Sequence, residues 1–346
     1  MFSRQPPLRR SHARRTRRPP AAAPVVAPAL APVLEAPPGL DARDRAIWDR
    51  FLIRNHPRAA VLTESGRLFW FAQSASLAQA ESSAMAACQR QASPCTVWVR
   101  DNAVVAPGRA WSPPAPPGAF SSGLTHEIVP DARMLFWGPG RAAGVYVWGH
   151  GRGTNDSRGL QPQAHVRHFN NAGWDIVRFD RHPNSDDADR AAGWLRDALP
   201  ELRRRGYARV IVGGQSRGGW NALQMLDTNA VDAVIAMVPG AHGGQPIGNP
   251  NYAVADQQFE AIARRAATPR ARVAMAIFRD DPFLPDAENR ARLVNAELRP
   301  RVGALLFIDR PDGFSGHGAA AGTAFNDRYG PCIFRLVTQP NPPAGC

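Results

Sequence analysis

The sequence predicts an α/β protein: a mostly parallel sheet covered by helices on both faces, preceded by a small α+β module and a disordered N-terminal tail. Three observations lead there. Short Val/Ile/Ala-rich runs such as Val210-Ile211-Val212 alternate with longer amphipathic stretches over residues 124–346, the pattern of doubly buried strands joined by crossover helices. Apolar residues make up 44% and charged residues 21% of the 346, which suits a packed core rather than a disordered, collagenous or coiled-coil chain. Two Pro-rich stretches, 1–40 and 107–123, set the intervening residues apart as a separate unit.

Residues 1–40 hold nine prolines and seven arginines, with Glu35 as their one acid, a composition that cannot bury a core. The stretch reads as a tail or a leader. Arg9 to Arg18, Ala21 to Leu34 and Ala29-Leu30-Ala31 imitate the basic start, apolar stretch and small-residue cleavage site of a secretory leader, although Pro24, Pro28 and Pro32 interrupt the apolar part. Export to the periplasm or the medium is the expectation, a cytoplasmic location the alternative. The net charge is +13 and all 42 basic residues are arginine, but the only dense run lies in this tail, so no nucleic-acid interface is expected. No run reaches the roughly 18–20 apolar residues of a spanning helix.

Residues 41–106 read as the α+β module. Ile47, Trp48, Phe51 and Leu52 recur at helical spacing, Ala59–Leu62 and Leu68–Phe71 flank the turn Glu64-Ser65-Gly66 as a hairpin, Ser74 caps a helix to about Gln91, and Cys95–Val99 is a strand. Pro107, Pro113, Pro114, Pro116 and Pro117 mark 107–123 as a linker. Within 124–346, strands are predicted at Met134–Trp137, Gly144–Trp148, Asp175–Phe179, Val210–Gly213, Val231–Met237, Val273–Phe278 and Ala304–Ile308. Helices are predicted at Asp186–Arg205, Arg217–Leu226, Val254–Ala267 and Asp286–Leu298. Ligands of such a sheet bind at the carboxyl ends of its strands.

The four cysteines fall into two local pairs, Cys88 with Cys95 and Cys332 with Cys346, compatible with two disulfides in an oxidising compartment or with four free thiols in a reducing one. No Cys-x-x-Cys and no Cys/His cluster has zinc-ligand spacing, so neither a metal nor another cofactor is expected.

Gly214-Gln215-Ser216-Arg217-Gly218 follows the run Val210–Val212 and opens a helical stretch. In that strand–turn–helix setting the turn is so tight that Gly214 and Gly218 must lack side chains, and Ser216 is lifted above the sheet edge. Here the sequence resembles the α/β-hydrolase family of serine esterases and lipases, over residues 124–346. The resemblance implies a nucleophile, acid and base in the order Ser, Asp/Glu, His. After Val273–Phe278 the only histidine is His317, in Gly313-Phe314-Ser315-Gly316-His317-Gly318, and it is the expected base. For the acid, Asp281 in Arg279-Asp280-Asp281-Pro282-Phe283-Leu284-Pro285 matches the family pattern, Asp280 is the runner-up, and Asp286 suits a helix N-cap.

The family's His-Gly-x-Gly loop is similar to Gly149-His150-Gly151-Arg152-Gly153. That likeness implies an oxyanion hole from the backbone N–H of Arg217 and of Arg152 or, alternatively, Gly151, with His150 holding the loop. His242 either lines the substrate pocket or packs in its loop. Asp180, between Arg178 and Arg181, reads as a turn-fixing ion pair. The side chains of Arg217 and Arg152 either face the cleft as a fork for an anion, or pack along the helix beside an acid and lie in solvent. The resemblance implies hydrolysis of a small-molecule or polymeric ester through an acyl-enzyme. A peptidase, an acyltransferase and an inactive scaffold protein are the alternatives.

Overall fold

The computed structural model describes residues 34–152, 155–246, 248–342 and 345–346, so most of the Pro-rich tail and Gly153 of the glycine-rich loop lie outside the described residues. A small antiparallel sheet comes first. Strands β1 (Arg58–Thr63), β2 (Leu68–Ala72), β3 (Cys95–Arg100) and β4 (Ala103–Val104) lie in the order β2-β1-β3-β4, packed by α1 (Ala42–Leu52) and α2 (Leu77–Gln89). The hairpin lies where the turn residues place it. Helix α2 is capped by Ser76 rather than Ser74: the Gln79 N–H donates to Ser76 Oγ and the Gln79 side chain accepts from the Ala75 N–H, a reciprocal cap written in Ser76-x-x-Gln79. Leu34, Ala36 and Leu40 pack into this module's core, so the stretch read as tail joins the folded part from Leu34 onward. Cys88 and Cys95 are disulfide-bonded, tying α2 to β3, and Cys332 is bonded to Cys346.

The large sheet has eight strands in the order β12-β11-β10-β9-β7-β8-β6-β5: β5 (Ser121–Ser122), β6 (His126–Pro130), β7 (Gly144–Gly149), β8 (Trp174–Arg181), β9 (Val210–Gln215), β10 (Ala233–Met237), β11 (Arg272–Ile277) and β12 (Ala304–Asp309). All neighbours run parallel except β5 with β6 and β6 with β8. Side chains of each central strand alternate between two cores, Val210 and Val212 to one and Ile211 to the other, so strands buried on both faces read as continuous apolar runs. Helices α4 (Ala188–Arg204), α5 (Arg217–Gln224), α6 (Tyr252–Arg265) and α7 (Ala287–Leu293) cover one face, and α3 (Val166–Asn171) and α8 (Thr323–Thr338) cover the other.

Two sequence expectations differ from the structure here. Met134–Trp137 is not a strand: its residues are mostly buried, but its amides bind side chains, Leu135 N–H donating to Asn170 Oδ1 and Trp137 N–H to Asp175 Oδ1, which leaves no ladder. The segment 107–123 is not a bare linker either, since Trp111 pairs with Val104 and Ser121–Ser122 is the sheet's edge strand. Polar contacts join module and sheet: Arg54 makes a two-pronged ion pair with Asp327 on α8, and Asn171, Asn326 and Asn55 bridge to the backbone of Leu52, Ile53 and Pro162.

Candidate active site

The carboxyl ends of β7, β9, β10, β11 and β12 lie along one edge, with Gly149 beside Gly214, Gln215 beside Met237, and Ile277 beside Asp309 in register. Ser216, between β9 and α5, has φ +52°, a strained conformation for a residue with a side chain. The strain is held by backbone bonds: Ser216 N–H donates to Met237 O at 2.9 Å, and Ser216 O accepts from Trp220 N–H at 2.9 Å and Gly240 N–H at 3.3 Å. The glycines on either side are required by close packing. A methyl group on Gly214 or Gly218 would lie 2.2 or 1.9 Å from Gly149 O, so the turn and the β7 loop interlock backbone to backbone. Gly151 lies against Ser216, where an added methyl would meet the serine Cβ at 3.4 Å.

The chain after β11 turns sharply at Asp280 (φ +56°) and buries Asp281. Both Asp281 carboxylate oxygens lie 2.9 Å from His317 Nδ1, and the Phe283 N–H donates to Oδ1 at 2.9 Å. A carboxylate on Nδ1 leaves Nε2 as the nitrogen free to accept a proton. Asp280, the runner-up for the acid, does something else: it accepts from Ser315 Oγ at 2.7 Å and, with Gly316 N–H on Arg279 O at 2.7 Å, straps the histidine loop to β11. The Phe283 ring packs 4.6 Å from the imidazole. Sequence reasoning missed this strap and this ring; the hydroxyl in Ser315-Gly316-His317 was the one visible signal. Ser216 and His317 both border Gly240, where a methyl would lie 3.6 Å from Ser216 Oγ and 3.8 Å from His317 Cε1.

His150 is buried away from this line. Its Nε2 accepts from the Arg181 N–H at 2.9 Å, which puts the proton on Nδ1, where it is donated to Gly151 O at 2.6 Å. Burial, then the nearby Arg181 charge, lowers its pKa to about 4, so it holds the loop as a neutral ring. Arg152 and Arg217 flank the serine, and the Arg217 amide, first in its helix, has no intrahelical partner. His242 overhangs the same space, its pKa lowered to about 4 by burial and then by Arg217 and Arg152. Asp180 pairs with Arg178 at 3.0 Å and takes no part in the site, while Asp286 caps α7. Arg181 pairs with Asp186 instead, at 3.0 Å.

A parallel sheet with this strand order, a strained serine between strand and helix, and an aspartate–histidine pair on the next loops is the α/β-hydrolase fold. No family model matches the sequence, and no curated protein sequence matches it significantly. Among solved structures, the chain is similar to the esterase Pf2001 of Pyrococcus furiosus (13% identity, TM-score 0.44, 62% of this chain and 86% of that one). It is also similar to Est1E of Butyrivibrio proteoclasticus (13% identity, TM-score 0.42, 64% and 97%) and to a puromycin-hydrolyzing peptidase of Mycobacterium tuberculosis (16% identity, TM-score 0.44, 62% and 37%).

Proposed function

We propose that this protein is a serine hydrolase acting on ester-type carbonyls through an acyl-enzyme. The observation that carries the reading is the buried Asp281 carboxylate 2.9 Å from His317 Nδ1, beside a serine held at positive φ. In this mechanism Ser216 Oγ attacks the carbonyl while His317 Nε2 takes its proton. The amide N–H groups of Arg217 and Arg152, or of Gly151 in place of the latter, hold the oxyanion. His317 then protonates the leaving alcohol, and water, deprotonated by the same imidazole, resolves the acyl-enzyme. Asp281 keeps the ring oriented and stabilises its protonated form. No hydrogen bond joins Ser216 Oγ to His317 in this structure, and the mechanism requires one to form when substrate binds.

Labelling by a fluorophosphonate probe tests this. Wild-type protein is expected to label at Ser216 and Ser216→Ala not at all; a folded wild-type protein that stays unlabelled overturns the reading and leaves a scaffold. Asp281→Asn is expected to lower kcat on 4-nitrophenyl butyrate by about 10³–10⁴, with KM little changed, because the imidazole loses its tautomer. We also propose that the protein is exported, supported by its two bonded cysteine pairs. Intact mass of freshly isolated protein should rise on reduction by the hydrogens of two disulfides.

A further inference from the structure

A cavity of about 330 Å³ opens beside the serine, between α5, the N-terminus of α4, α6 and the loop after β10. The loop reaches it directly, since Ala241 and His242 line it and Gly240, one residue earlier, abuts Ser216 Oγ. Arg217 and Gln224, seven residues apart on one face of α5, form part of its wall.

Among the described residues these groups lack partners. Arg217 is 4% exposed, and among the described residues its guanidinium makes no hydrogen bond or ion pair; its Nε is fully buried and unsatisfied. The acid beside it, Asp186, is bound to Arg181. Among the described residues Gln224 Nε2 and His242 Nδ1 are likewise buried without a partner, so three of the residues that line the cavity each carry an unsatisfied nitrogen. Arg152 and Arg265 add charge to the wall. The acids that reach it are Asp187 and Asp189: Asp187 is engaged with the Asp189 and Arg190 N–H groups as the α4 cap, and both are exposed. Burying a guanidinium without a counter-charge is costly, and a buried donor left open is the signature of a missing acceptor.

Resting on the serine-hydrolase reading above, we infer that this cavity is an anion subsite, and that the substrate is an ester carrying a carboxylate or phosphate near its scissile carbonyl. Arg217 would meet that anion with its planar fork, Gln224 and His242 would complete the donor set, and the backbone N–H of Arg217 would serve the reacting carbonyl itself. One residue would then tie charge recognition to the chemistry.

The test uses the full-length Ser216→Ala protein, in which binding is measured without turnover. Glutarate and inorganic phosphate are titrated separately by calorimetry. At least one is expected to bind; glutarate alone assigns a carboxylate ester, phosphate alone a phosphate-bearing one. Adding Arg217→Met should weaken binding tenfold or more, and Arg265→Gln, at an exposed position, a few-fold. Arg217→Met should also melt no lower than its parent, since it removes an unpaired buried charge, whereas a guanidinium that served only as packing would be missed. If Arg217→Met does not fold, Gln224→Ala replaces it with the same expected direction. Neither anion binding, or binding indifferent to these substitutions, overturns the subsite. Fluorophosphonate labelling of the wild type would stand apart from that failure.

Discussion

Two arginines buried in different regions show what a cation does in a protein interior. In the small module, Arg58 is 1% exposed and every nitrogen is used. Its Nη1 donates to the carbonyls of Phe51, Leu52 and Arg54 at 2.8–3.0 Å, closing the C-terminus of α1, while Nη2 donates to Asn102 Oδ1 and Nε to Asp101 O. Its guanidinium also lies 4.7 Å over the Phe51 ring. At the sheet edge, Arg217 is nearly as buried and has none of these contacts among the described residues. The first satisfies helix-end carbonyls that water cannot reach, which is a structural task. The second is held in place by packing alone, which leaves its donors for something that arrives.

The contrast breaks most directly on Arg58→Met. Three carbonyls lose a donor, and that of Arg54 keeps none among the described residues, while Phe51 O retains the Arg54 N–H and Leu52 O the Asn171 side chain; stability should fall by about 3 kcal/mol in urea unfolding, and a loss no larger than that of an exposed arginine would erase the distinction. Acid comes next. His150, His165 and His168 are buried with pKa values lowered to about 4, 3 and 4, first by burial. The unfolded chain therefore takes up protons near pH 6.5 that the folded one refuses. The stabilisation is full above that pH and is lost as pH falls towards 4, by about 3 kcal/mol for His150 alone. A urea midpoint unchanged between pH 7 and about pH 4.5 would contradict the neutral, hydrogen-bonded state assigned to His150. Smallest is Arg217→Met, expected to leave stability equal or about 1 kcal/mol higher, opposite in sign to Arg58→Met; equal losses at both would make the two arginines alike.

The site was legible where its residues are close in sequence or few in kind. Gly214 and Gly218 announce the turn, although the reason for them, Gly149 O pressed against both, is a contact across two strands. His317 stood out because it is the only histidine after β11. Asp281 and Asp280 were hard to separate because adjacent residues at a turn point opposite ways, and only the course of the chain decides which carboxylate faces inward. Met134–Trp137 misled because apolar residues signal burial, and burial does not specify a ladder when side chains can hold the amides.

What the sequence determined by itself is the alternation of strands and crossover helices and the strained serine turn, because each depends on spacing within a few residues; it brought the cysteines into two local pairs but left open whether they are bonded. The tertiary structure alone decided the fate of the cations. With 42 arginines, residue type says nothing about which one is paired. Whether Arg217 meets an acid depends on where α4 and the loop after β10 stand relative to α5. Asp186 acts on Arg217 through its charge but is paired with Arg181, and what remains is a cavity whose donors are unsatisfied among the described residues.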